Sequence, residues 1–300
     1  MEIQTRIPQV REVPVLKQIW KSAFGSDEIA GFFSYYFDPL MSIVAEYNKT
    51  PVSAGHLLPA GSLVCDRSTI PCAMIYGVAT LPEYRNRGFG AAVVRELISK
   101  GNTSGYPAVA LCPSEDSLFE YYSARTDLSD WFFVDEIKLS GAPADNTGTG
   151  LSSVTPDDYG RLRSSFLTEI PQIEPDSRVL TYQSEMCRQY GGGLFKINAK
   201  AGDACAVVER RSAEAVCVKE LLAPPGCKKD AIEAIRSAFP ALEYIIRTPV
   251  PGSQYDVNEP YTTGHAIRRF GMLSAPPTID SKLSAIDSQY PLPWFGFAFD

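Results

Sequence analysis

The chain has 300 residues, 45% of them apolar and 21% charged, enough for two ordinary domains and too apolar for wholesale disorder. Its 28 basic and 35 acidic residues leave a net charge of −7, which argues against nucleic acid as the main partner, because phosphate binding needs a positive surface. An acidic surface suits a cationic substrate and equally serves solubility alone.

In chain order, "PVLKQIWKSAF" places Leu16, Ile19, Trp20 and Phe24 on one helical stripe. "SDEIAGFFSYYFDP" reads as a second helix, with Ser26 or Asp27 as N-cap and Pro39 just past its end. Three strands are expected at "SIVAEYN", "PVSAGHLLPAGSLVCD" and "IPCAMIYGVAT". A helix over roughly Gly88 to Lys100 follows, then the strand "YPAVALCPS", the helix "SEDSLFEYYSAR" and the strand "WFFVDEIKLS". Ser140 to Ser153, dense in Gly, Ala, Asn, Thr and Ser, reads as a linker. Beyond it the order partly repeats. A helix from Thr155-Pro156 and another near Arg178 to Tyr190 precede strands at "GLFKINAK", "ACAVVERR" and "AVCVKELLA", the helix "KKDAIEAIRSAF" and the strand "LEYIIRTP". The aromatic tail "YPLPWFGFAFD" carries neither helix nor hairpin signal and is expected to dock, since an exposed apolar patch invites aggregation.

The seven cysteines (Cys65, Cys72, Cys112, Cys187, Cys205, Cys217 and Cys227) form no CxxC pair, and His56 and His265 are the only histidines. An odd, scattered set fits small core residues in a reducing compartment, and two histidines are too few for a zinc cluster, so no metal is expected. The start lacks an apolar signal region and no window approaches about 18 uninterrupted apolar residues, so a cytoplasmic protein without a membrane partner is expected.

The chemistry concentrates in "YGVATLPEYRNRGFGAAVVRELISKG", Tyr76 to Gly101. Backbone N–H groups at a helix start are unpaired, and the helix dipole makes that end positive. Gly88 and Gly90 permit close backbone approach, and Arg85 and Arg87 add phosphate-compatible charge, which together describe a pyrophosphate cradle. No Gly-Lys-Ser/Thr makes it a P-loop, and Val93 stands where a dinucleotide fingerprint has its third glycine. The competing reading is an ordinary helix start with solvated arginines.

"VATLPEYRNRGFG" resembles the acyl-CoA signature of the GNAT acetyltransferase superfamily, V-x-x-x-P-x-x-R-x-x-G-x-G/A between a strand and a helix, with Val78, Pro82, Arg85, Gly88 and Gly90 in place. The resemblance implies an α/β fold: a splayed mixed sheet flanked by helices, whose gap takes the pantetheine arm of acetyl-CoA. Backbone groups of Val78, Ala79 and Thr80 would pair with that arm. The stretch Arg85, Asn86, Arg87, Gly88, Phe89, Gly90 and Ala91 would surround the pyrophosphate. The wider chain is similar to the tandem acetyltransferases of the enhanced-intracellular-survival type. That implies a CoA-binding domain over 1–145, a degenerate GNAT-like domain over 146–280 without the CoA signature, and a tail over 281–300 returning to the active site. It also leaves no room for the sterol-carrier-like domain of longer members.

In this family a tyrosine of the following helix protonates the departing thiolate, in a Y-x-x-x-G-aromatic pattern. Tyr122 matches, with Tyr121 adjacent, but Thr126 and Asp127 stand where the glycine and the aromatic would be. A tyrosine packed on the sheet is the competing reading. The branch also implies a role for the chain's own terminal carboxylate, here Asp300, as the base that accepts the amine proton; its alternative is a docked tail with a solvated end. His56 and Glu46 read as a structural histidine and a solvated edge carboxylate, and Cys112 as a buried strand cysteine. "FFSYYF" (Phe32 to Phe37) either walls the acceptor pocket or packs on the core, which its spacing favours.

The expected function is acyl transfer from acetyl-CoA to a primary amine, small or peptidic, with homo-oligomerisation left open. The rivals are a CoA-binding sensor or pseudoenzyme and a protein-interaction scaffold.

Overall fold

The computed structural model describes residues 3–25, 29–65, 68–141, 150–199, 202–250, 262–277 and 291–298. The chain opens with β1 (Gln4–Arg6), α1 (Val13–Phe24), α2 (Ile29–Tyr35), β2 (Ser42–Tyr47), β3 (Thr50–Cys65) and β4 (Ser68–Thr80). It continues through α3 (Phe89–Thr103), β5 (Ala108–Leu111), α4 (Ser117–Ser123), β6 (Ser129–Ser140), β7 (Gly150–Ser153) and α5 (Pro156–Phe166). Then come β8 (Gln172–Glu174), α6 (Ser177–Gln189), β9 (Gly193–Ala199), β10 (Gly202–Arg210), β11 (Ala215–Leu222), α7 (Lys228–Ala238), β12 (Glu243–Thr248) and β13 (Thr262–Ser274). Side-chain caps set two of the helix starts: Thr155 Oγ1 accepts from Asp158 N at the head of α5, and Asp176 Oδ1 accepts from Val179 N at the head of α6. No helix among the described residues is long and apolar enough to cross a membrane.

The helices and strands gather into two compact units. The first comprises Met1–Gly61, Ile70–Trp131 and Gly271–Asp280. Its strands lie in the order β1-β2-β3-β4-β5, followed by the end of β13. β2 is antiparallel to β1 and to β3, whereas β4 and β5 run parallel from Cys72↔Ala108 to Ile75↔Leu111. The crossover between those parallel strands is α3, as a parallel pair requires. α3 buries Phe89, Val93, Val94, Leu97 and Ile98 against the sheet. The approach is close: a Cβ on Gly55 would lie 2.9 Å from both Val93 and Leu97, so only glycine fits there. The paired stretch ends at Ile75, while β4 itself continues to Thr80, so the two strands part at the end facing the mouth of α3.

The second unit comprises Ser62–Thr69, Phe132–Phe270 and Ser281–Asp300. Its main strand order is β6-β12-β11-β10-β9-β7, and β8 pairs with Ser62–Val64 of β3. Here β11 and β12 form the parallel pair and α7 the crossover, burying Ala231, Ile232 and Ile235 against Val216, Val218, Tyr244 and Ile246. Each unit thus has an antiparallel run leading into a parallel pair bridged by a helix, the repeat of element order expected from the sequence. The expected divide at 145/146 lies outside the described residues. Most of β6 belongs to the second unit and the end of β13 to the first.

The tail from 291 to 298 docks within the second unit without forming a regular element. Trp294 is fully buried, and its Nε1 donates to Glu220 Oε2 at 2.6 Å. Glu220 also accepts from Tyr159 Oη at 2.7 Å and from Arg163 Nε at 3.0 Å, with Arg163 only 1% exposed. Arg163 Nη1 in turn donates to Gln172 Oε1 at 2.7 Å and to the Ile173 carbonyl at 3.0 Å. A buried ion pair survives only when its spare donors and acceptors are satisfied, and α5, β8, β11 and the tail all contribute here. Phe295 packs on Phe132 with ring centroids 4.9 Å apart. Asp300 lies outside the described residues.

Candidate active site

The site is built from the end of β4, the turn after it and the first turn of α3. Gly77 in β4 has φ +62°, and a Cβ on it would lie 2.1 Å from the Trp20 ring, so the indole of α1 crosses the strand where no side chain intervenes. Beyond it Val78 is half-buried, Ala79 is 4% exposed and Thr80 is half-buried at the end of the strand. Asn86 takes φ +59° and Gly88, the N-cap of α3, φ +86°, which turn the chain sharply into the helix. Ala92 N is bonded to Gly88 O at 3.0 Å. The preceding amides, of Phe89, Gly90 and Ala91, have no partner inside the helix, as at any helix start, and they gather at the positive end of its dipole.

The two arginines flank this mouth on its exposed side. Arg85 is tethered, its Nε donating to the Thr80 carbonyl at 3.1 Å and its Nη2 to the Ser22 carbonyl at 3.5 Å. Arg87 lies over an aromatic ledge, 4.7 Å from the centre of Tyr47 and 5.4 Å from that of Tyr84. Both rings hold the guanidinium by cation–π attraction and leave its charge at the helix start. Phe89 and Ala91 each point into the core at 1% exposure, so the sequence interleaves anchors with the open glycines.

A Cβ on Gly90 would lie 3.5 Å from Thr80 Oγ1 and 3.9 Å from Tyr121 Oη, so these two hydroxyls border the same face of the glycine. Thr80 Oγ1 is 2.8 Å from Ser53 Oγ, and Ser53 Oγ donates to the Ala79 carbonyl at 2.9 Å. Tyr121 is half-buried, with the Arg125 guanidinium 4.6 Å above its ring. Tyr122 is 6% exposed within the apolar cluster of Phe119, Leu128 and Leu111, and burial pushes its hydroxyl pKa up. Thr126, where the family pattern has glycine, turns its hydroxyl back onto the Tyr122 carbonyl at 2.8 Å and closes α4.

The other candidates separate clearly. His56 is 2% exposed among Trp20, Phe32, Phe33 and Phe37, its Nδ1 2.8 Å from Ser42 Oγ, and burial lowers its pKa to about 3. It is a structural histidine, neutral across the physiological range. Glu46 is not the solvated edge carboxylate expected: Arg6 Nε donates to its Oε1 at 2.6 Å, and the same arginine binds Glu12, whose pKa it holds below the usual range. Of the "FFSYYF" stretch, Phe32 and Tyr36 are buried and Phe33 and Phe37 half-buried, whereas Tyr35 is 60% exposed. Most of that helix therefore packs on the core. Cys112 is half-buried, just after the last residue of β5. No group of three or more His, Cys, Asp or Glu among the described residues is arranged to hold a metal ion.

Residues 4–125 match the family model of the acetyltransferase (GNAT) domain. Among solved structures, a GCN5-related N-acetyltransferase from Kribbella flavida aligns over 91% of this chain and 70% of its own, at 14% identity and a TM-score of 0.63. A GCN5-related N-acetyltransferase from Anabaena variabilis aligns over 91% of this chain and 72% of its own, at 11% identity and a TM-score of 0.62. Eis1 from Mycobacterium abscessus aligns over 94% of this chain and 75% of its own, at 12% identity and a TM-score of 0.57. At such identities these structures show the shared fold, and they extend it well past residue 125. No curated protein matches the sequence significantly.

Proposed function

We propose that this chain, whose residues 4–125 match the acetyltransferase (GNAT) domain, moves an acetyl group from acetyl-CoA to a primary amine by direct attack. The observation that carries this reading is the mouth of α3. There the free amides of a helix start, the open face of Gly90 and the charges of Arg85 and Arg87 follow a strand released from its partner. In this reading Val78, Ala79 and Thr80 offer backbone groups to the pantetheine arm, and the stretch from Arg85 through Asn86, Arg87, Gly88, Phe89 and Gly90 to Ala91 surrounds the pyrophosphate. Holding the thioester in a fixed slot turns a bimolecular encounter into an intramolecular one.

Three proton transfers complete the reaction. An ammonium must lose a proton before its nitrogen can attack, and the Asp300 carboxylate is the base we assign to that step. The nitrogen then bonds to the thioester carbon, the carbon–sulfur bond breaks, and Tyr122 gives its hydroxyl proton to the departing thiolate before recovering one from the amide nitrogen through solvent. Burial raises the Tyr122 pKa, so the hydroxyl is protonated at neutral pH and is a weaker acid toward the thiolate than an exposed tyrosine.

Incubating the protein with acetyl-CoA and a panel of primary amines tests the reading. Free thiol and acetylated amine should appear in equal amounts. Thiol release that ignores the amine, or none with any amine, contradicts it. Removing the last four residues should lower turnover, and unchanged turnover excludes Asp300 as the base.

A further inference from the structure

Beyond the backbone cradle, the hydroxyls of Ser53, Thr80 and Tyr121 form an ordered wall beside Gly90. Their proton directions follow from bookkeeping. A carbonyl only accepts, so the 2.9 Å contact from Ser53 Oγ to the Ala79 carbonyl uses the single proton of Ser53. The 2.8 Å contact between Ser53 and Thr80 must then be donated by Thr80. Thr80 has spent its proton on Ser53, so beside Gly90 its Oγ1 can only accept. Ser53 is fully buried, so this order is fixed by the fold and not by solvent.

Across the open face of Gly90 stands Tyr121 Oη, whose hydroxyl has no hydrogen-bond partner among the described residues. Arg125 braces the ring from one side, with its Nη1 also donating to the Tyr121 carbonyl at 3.4 Å. The wall therefore presents one acceptor, Thr80 Oγ1, and one donor, Tyr121 O–H, about a glycine that leaves the space between them empty. A phosphate has no donor to give Thr80. A secondary amide has both parts: an N–H for Thr80 and a carbonyl for Tyr121.

We propose that Thr80 and Tyr121 form a side-chain clamp that reads one amide of the ligand's arm, with Ser53 as the positioning residue that sets its polarity. This rests on the reading of the α3 mouth as the CoA site, and it separates the adjacent tyrosines: Tyr121 binds and Tyr122 reacts.

The test compares two probes by calorimetric titration: CoA, and its nucleotide half, which keeps the pyrophosphate and lacks the amide-bearing arm. Thr80→Val and Tyr121→Phe should each weaken CoA binding about fivefold to tenfold and leave the nucleotide half unchanged. Thr80→Ser, which keeps the hydroxyl, should bind CoA like the wild type, and thermal unfolding of each variant confirms that it is folded. Unchanged CoA affinity overturns the clamp. Equal weakening of both probes also overturns it, since the hydroxyls would then serve the phosphates. If the wild-type protein binds neither probe, the reading of the site fails and takes the clamp with it.

Discussion

Six residues around His56 decide how the first unit responds to acid. Ser42 faces its Nδ1, and the rings of Trp20, Phe32, Phe33 and Phe37 enclose the imidazole, with Tyr76 packed on Trp20 and Phe32. Burial lowers the His56 pKa to about 3, below its ordinary 6.5, so the folded state refuses a proton that the unfolded chain accepts. The resulting stability is complete above pH 6.5 and is lost as the pH falls toward 3, at about 1.4 kcal/mol per pH unit. Denaturant unfolding of wild type and His56→Gln between pH 7 and pH 4 should show a steeper loss for the wild type; parallel profiles would contradict the burial argument. At the same scale, Tyr122→Phe should lower kcat about a hundredfold with little change in KM for acetyl-CoA. The positions from Val78 to Gly90 were legible in the sequence because their spacing is local and belongs to one strand, one turn and one helix start. The place of Tyr121 Oη beside Gly90 was not, since it depends on the direction α4 gives that ring, and nothing in "LFEYYSAR" fixes that direction.

Among the elements, the helices and the long apolar strands follow the sequence pattern closely, while β1, β7, β8 and β13 carry no readable signal. Three of these are only three or four residues long, too short to show alternation. β13 is long but charged on both faces, and its place becomes intelligible through its partners: its end pairs with β5 at Met272↔Leu111, while His265 bonds to Asp135 and Arg268 Nη1 donates to Glu136 at 3.0 Å. The tail is similar, for an aromatic run with no periodicity says that it docks but not where. Its anchor gives a sharp expectation. Arg163→Met leaves the buried Glu220 carboxylate without its cation and should destabilise the second unit by about 3–5 kcal/mol. Trp294→Phe removes one donor and keeps most of the packing, so about 1–3 kcal/mol is expected. Urea unfolding measures both, and a negligible loss for Trp294→Phe would mean that packing, not the hydrogen bond to Glu220, holds the tail.

For the whole molecule, the same element order occurs twice, whereas the proposed donor cradle occurs once among the described residues. In the second unit the crossover helix α7 starts after Cys227, with φ −106°, in place of a left-handed glycine. "LLAPPGCKKDAIEAI" has no R-x-x-G-x-G, and the first turn of α7 has Lys229 where that of α3 has Gly90. The architecture therefore repeats without repeating the cradle, which predicts one acyl-donor site per chain. Calorimetric titration of acetyl-CoA into wild type and Gly90→Leu tests this most directly. A leucine at Gly90 fills the space between Thr80 and Tyr121 while its Cβ keeps ordinary van der Waals distances of 3.5 and 3.9 Å from their oxygens. The wild type should bind one equivalent per chain and Gly90→Leu should release no binding heat. Saturable binding that survives in Gly90→Leu, or two equivalents in the wild type, would contradict the assignment of the α3 mouth as the donor site.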